Sequence, residues 1–100
     1  MKFEWNEDKN RKNLEKHNIG FEQAKTVFED NDAIELEATH KGEYRIIRIG
    51  KTATKFILLV VYTMRGLIIR LISARQASKG ERNLYISEKL KNQDNGSTDR

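Results

Sequence analysis

The 100-residue chain has no cysteine, which excludes disulfides, thiolate catalysis and cysteine-ligated zinc, and fits a reducing compartment. It has no long apolar run either. The longest, Phe56 to Tyr62, suits a buried strand and falls far short of the ~18 residues a membrane span needs. Met1-Lys2-Phe3-Glu4-Trp5-Asn6 offers no apolar signal-peptide core, so export by that route is not expected and a cytoplasmic location is. The six glycines are scattered at turns and caps, not gathered into a phosphate-cradling loop. His17 and His40 stand apart, and Asp30-Asn31-Asp32 lacks the rest of a calcium loop, so neither a metal nor a cofactor is expected. No Gly-x-Ser-x-Gly elbow surrounds Ser73, which removes serine-hydrolase chemistry.

What the chain does have is charge: 34% of residues are charged against 37% apolar, with a net charge of +4. The mean hydropathy of −0.77 fits a soluble, globular domain. The charge is unevenly spread. Residues 1–40 carry six basic and ten acidic side chains, residues 41–82 carry ten basic and two acidic, and residues 83–100 carry three of each. A basic middle segment of this kind reads as a surface for polyanions, or as a solvated sheet face whose charges discourage edge-to-edge association.

Local patterns predict the order β-α-α-β-β-β-β-α. Lys2-Phe3-Glu4-Trp5 alternates as a short strand does. Asn6 is a good N-cap for a very polar helix over about 7–17, closed by Asn18. Gly20 caps a second helix over about 21–29, with Phe21, Ala24, Val27 and Phe28 as its buried stripe. Four strands follow, at about 33–38, 44–51, 56–63 and 67–74, joined by links short enough to favour antiparallel neighbours. Ser78-Lys79-Gly80-Glu81 is a capping box that opens a last helix. The fold class is α+β: a single domain over 1–91, one antiparallel sheet packed by helices, with residues 92–100 expected to be a disordered tail.

The basic stretch is where chemistry is most readily placed. Arginine suits phosphate because its planar fork pairs with two oxygens at once. RNA cleavage without a metal needs a base for the 2′-OH, cations for the phosphorane and an acid for the leaving oxygen. Arg65 and Arg75 are candidates to hold phosphate, while His17, Lys79, Glu81 and Tyr85 are candidates for proton transfer or its support. Arg45, Arg48, Arg70 and Arg82 extend the basic surface as RNA-binding candidates. Each has a plainer reading. Glu81 is already explained by the capping box, Tyr85 by the edge of the core, Arg70 by a partner such as Glu4, and His17 by the negative end of a helix dipole.

Several of these residues sit in a pattern that resembles the BrnT toxin family. The opening matches at Phe3-x-Trp5-Asn6-x-x-Lys9, with Asn13, Lys16 and His17, then Phe21-x-x-Ala24 and Phe28. The second half matches at Arg45 to Gly50, at Val60-Val61-Tyr62-Thr63-x-Arg65-Gly66, and from Ile69 through Ile72-Ser73-Ala74-Arg75 to Glu81 and Tyr85. The sequence departs from the family at Asn6, where Asp is usual, at Asn18, where Gly is usual, and at Gly80, where a basic residue is common. The resemblance implies a RelE-like ribonuclease toxin of a type II toxin–antitoxin system, acting on RNA to inhibit translation. It also implies a BrnA-type ribbon-helix-helix antitoxin as partner, with operator DNA reached only through that partner and no membrane. The competing reading is a non-catalytic module that docks such a partner on the same basic surface.

Overall fold

The computed structural model describes residues 1–98, and the side chains of residues 1–93. The Asn6 side chain accepts a hydrogen bond from the Lys9 amide (3.1 Å) and starts α1, Glu7–His17, as its capping preference predicts. Asn18 ends that helix in the left-handed conformation (φ 59°), its amide donating to the Leu14 carbonyl at 2.8 Å. The helix α2, Phe21–Ala24, continues as a 3-10 turn over Lys25–Glu29. The strands are β1 (Lys2–Glu4), β2 (Ile34–His40), β3 (Glu43–Lys51), β4 (Ile57–Arg65) and β5 (Ile68–Gln76), and α3 spans Lys79–Thr98. Lys41 and Gly42 link β2 to β3 with φ of 51° and 80°, the positive pair that a tight two-residue hairpin demands.

The sheet order is β1-β5-β4-β3-β2. The four later strands are antiparallel, but β1 lies parallel to β5, with Glu4 opposite Arg70. The expectation of a purely antiparallel sheet is therefore corrected to a mixed one. Short links constrain only consecutive strands; β1 and β5 are separated by most of the chain, which leaves ample length for a parallel crossover. The helix α3 runs to Thr98, so residues 92–98 of the expected tail continue it, while residues 99 and 100 lie outside the described residues. Once a helix has started, each added residue gains a backbone hydrogen bond, and no proline interrupts this one.

The two faces of the sheet are covered unequally. On one, Ile19, Phe21, Ala24 and Val27 pack onto Leu58, Val60, Tyr62, Ile69, Leu71 and Ala74. On the other, Ala77 and Tyr85 cover only Ile49, Leu59 and their neighbours at one end. The rest of that face is open, and it carries the candidate site.

Candidate functional site

The open face is set by strand register. Ile47, Val61 and Ser73 lie abreast on β3, β4 and β5, as do Ile49, Leu59 and Arg75. Alternation alone would put Arg70 and Arg75 on opposite faces, because five positions separate them. A bulge resolves this: Val61 pairs with Ser73 but Tyr62 pairs with Leu71, leaving Ile72 as an extra residue on β5. Arg70 and Arg75 consequently share the open face.

Helix α1 forms the wall beside β5, held there by a buried polar residue. The Asn13 amide nitrogen donates to the carbonyls of Ile19 (2.9 Å) and Ala74 (2.8 Å), and its oxygen accepts from the Ala74 amide (3.1 Å). This side chain, 7% exposed, fills the hydrogen-bonding edge of β5 beyond the end of β1. Lys9, Lys12, Lys16 and His17 then line the concave surface above Ile72 and Ser73. Lys9 and Lys16 figured in the sequence only as positions of the family resemblance, and none of Lys9, Lys12 and Lys16 was proposed for the site, because they belong to a segment whose acidic surplus hides them. Their spacing, with Asn13 at i+4, was the available signal for one helical stripe.

A concavity of about 560 Å³ sits where α1 meets the start of α3, lined by Lys16, His17, Ile47, Ser73, Arg75 and Glu81 among others. Its lining includes a doubly bonded ion pair: Arg75 Nη1 to Glu81 Oε1 at 2.8 Å and Nη2 to Oε2 at 2.9 Å. Glu81 Oε1 also accepts from the Ser78 amide (2.8 Å), and Ser78 Oγ accepts from the Glu81 amide (3.2 Å), so the predicted capping box is formed in full. Arg75 holds the Glu81 carboxyl at about 2, against the burial that opposes its charge, and Glu81 in turn raises the Arg75 guanidinium. A carboxylate that acidic is a weak base, so its contribution is to orient Arg75. Arg75 Nη1 also donates to the Gln76 carbonyl (3.2 Å). Of the five donors of a guanidinium, Nε–H and one Nη2–H are left without a partner among the described residues.

The remaining candidates divide clearly. Arg65 and Arg70 lie on the same face but at its far end, where both pair with Glu4 (3.3 and 3.0 Å), and Arg45 lies near them paired with Glu43 (2.8 Å). Lys79 is exposed in the first turn of α3, and Arg82 beside it donates to the Ala77 carbonyl (3.1 Å). Neither lines the concavity, and two further candidates are also not brought to the site. Arg48 points to the opposite face, where it donates to the carbonyls of Val27 (3.1 Å) and Asp30 (3.0 Å), pairs with Glu35 (3.0 Å) and lies over the Phe28 ring. Tyr85 is 1% exposed in the core, and its hydroxyl donates to Asp30 Oδ2 at 2.7 Å. Burial and that bond push the Tyr85 hydroxyl above its ordinary range, which suits an anchor for α3 and not a proton donor. Asp30 was weighed in the sequence only as part of an incomplete calcium loop, not as a partner of Tyr85. Burial opposes its charge, but the Lys51 amide, the Tyr85 hydroxyl and the Asp32 amide outweigh it and lower its carboxyl.

Among the described residues, no three His, Asp or Glu side chains cluster as metal ligands would, and no helix is long and apolar enough to cross a membrane.

The family model described as the ribonuclease toxin BrnT of type II toxin–antitoxin systems matches residues 5–81. Among solved structures, the 1.1 Å crystal structure of the Brucella abortus ribonuclease toxin BrnT matches with a TM-score of 0.64 at 26% identity, over 79% of this chain and 99% of that one. No curated protein matches. The family match spans the wall helix α1, the bulged strand β5 and the arginine–glutamate pair, and the solved relative shares the fold, so this chain belongs to the BrnT family of ribonuclease toxins.

Proposed function

We propose that this toxin cleaves RNA without a metal, in the concavity between α1 and the start of α3. The observation that carries the reading is Arg75, clamped at two points by Glu81 and facing an open surface shared with His17 and Lys16. The 2′-oxygen attacks the adjacent phosphorus, and the bond from phosphorus to the 5′-oxygen breaks. The imidazole of His17, a side-chain type suited to proton transfer near neutral pH, takes the 2′-OH proton. Arg75 stabilises the charge that builds on the phosphoryl oxygens. The departing 5′-oxygen takes its proton from the Lys16 ammonium, which lines the same concavity.

The family resemblance supplies the biological frame for this chemistry: a RelE-like toxin in the cytoplasm that inhibits translation and is neutralised by a BrnA-type ribbon-helix-helix antitoxin. Operator DNA is then met only through that partner. Leu84, Ile86 and Leu90 leave α3 with apolar surface in solvent, which favours a protein partner in addition to RNA.

The test is cleavage of RNA by purified protein in EDTA. Arg75→Ala and His17→Ala, both shown to be folded by circular dichroism, are each expected to slow cleavage by about 100-fold, in the range for losing one electrostatic or proton-transfer group. Undiminished cleavage by folded Arg75→Ala would refute the site.

A further inference from the structure

The open face carries a second concavity, of about 340 Å³, at the end away from Arg75. Lys9 of α1, Arg45 of β3, Arg65 of β4 and Arg70 of β5 converge on it from four elements. Two carboxylates, Glu4 and Glu43, accompany these four cations, so the cluster keeps a positive surplus. Each carboxylate engages only part of a guanidinium. Glu4 takes Nη1 of Arg65 and Nη1 of Arg70, and Glu43 takes Nε of Arg45. The other guanidinium donors, and the Lys9 ammonium, have no partner among the described residues. Pre-oriented arginines with unused donors are suited to phosphate recognition.

The two concavities are joined. The bulged residue Ile72 lines this one, and together with Lys9 it also borders the α1 wall that leads to Lys16, His17 and Ser73. Arg75 lies opposite Leu59 and Arg70 opposite Thr63, so at about 3.3 Å per strand residue the two arginines are about 13 Å apart, more than one internucleotide step. A strand held at Arg75 therefore has to run along α1 before it reaches Arg70.

We propose that the Lys9, Arg45, Arg65 and Arg70 cluster is a distal subsite for a flanking phosphodiester of the same single-stranded RNA. The proposal rests on the reading of the Arg75 concavity as the cleavage centre. The subsite makes the toxin discriminate by length: a strand long enough to span both concavities gains a second anchor, and a dinucleotide does not. Because the subsite grips phosphate, the preference is for strand length and charge, not base identity.

The experiment compares cleavage of a dinucleoside monophosphate with cleavage of an RNA of about ten nucleotides, a length within the usual range for single-strand sites. In parallel, fluorescence anisotropy follows binding of a non-cleavable 2′-deoxy strand of the longer length. Wild-type protein is expected to favour the longer RNA in kcat/KM. In the doubly substituted Lys9→Ala/Arg45→Ala protein the long-to-short ratio is expected to fall roughly tenfold, in line with the removal of charge-assisted hydrogen bonds. The slope of log affinity against log salt is expected to become shallower by about 0.7 for each phosphate no longer neutralised. Lys9→Ala alone, at an exposed helix position, is expected to show part of the effect and serves if the double variant does not fold. No length preference in the wild type, or an unchanged ratio and salt slope in the variants, overturns the subsite. Loss of binding to an acidic peptide with RNA binding unaffected overturns it too, by assigning the cluster to a protein partner. If wild-type protein cleaves neither substrate, the cleavage reading fails, while the anisotropy measurement still decides the subsite.

Discussion

Glu81 shows how one side chain ties local structure to the site. Its carboxylate caps α3 through the Ser78 amide and grips both terminal nitrogens of Arg75. The first role was legible from the Ser78-x-x-Glu81 spacing; the second was not, because it depends on how the chain turns from β5 into α3. The pair has a consequence for acid stability. Arg75 holds the Glu81 carboxyl at about 2 against an ordinary 4.5. A depressed carboxyl contributes stability that is complete above pH 4.5 and is lost as pH falls toward 2. The side chains of Arg75 and Glu81 are 41% and 26% exposed, so screening by solvent keeps the contribution to about 1 kcal/mol. Urea midpoints measured between pH 6 and pH 3 are expected to fall less steeply for Glu81→Gln than for the wild type, and parallel curves would contradict the assignment.

At the scale of elements, the sequence was most informative where the signals were local. The caps at Asn6 and Asn18, the two helices that follow β1, and the four-strand meander all stand where turn and periodicity rules put them. The parallel pairing of β1 with β5 was not read from the sequence: Glu4 was named as a partner for Arg70, and that pair is formed at 3.0 Å, but one ion pair does not fix the direction of a strand. Sorting the arginines onto faces was half within reach. Arg45 and Arg48 are three positions apart on one regular strand, so strict alternation already forbids both from facing the same ligand. Arg70 and Arg75 defy the same rule only because of the bulge at Ile72, which sequence does not announce. The face assignment leads to a prediction for Arg48, which ties β3 to the end of the 3-10 turn through the carbonyls of Val27 and Asp30. Arg48→Ala is expected to cost about 2–3 kcal/mol by leaving those groups unpaired, while the folded protein cleaves RNA within about twofold of wild type. Thermal melts and cleavage rates on the same preparation check both halves.

For the molecule as a whole, the distribution of charge matters more than its net value of +4. The segment of residues 1–40 is acidic in sum, yet its Lys9, Lys12, Lys16 and His17 are set along the same concave surface as Arg45, Arg65, Arg70 and Arg75. Folding sorts cations from both segments onto one face, a result that segment totals cannot display. On the function proposed above, this face directs the 2′-OH of RNA against its own phosphate without a metal. The most direct test is the chemistry of the ends it leaves when a defined RNA is cut in EDTA. Attack by the 2′-oxygen is expected to leave 2′,3′-cyclic phosphate and 5′-hydroxyl ends, with no cut at a position bearing a 2′-deoxy sugar. Ends carrying a 3′-hydroxyl and a 5′-phosphate, or cleavage that stops when divalent ions are removed, would contradict it.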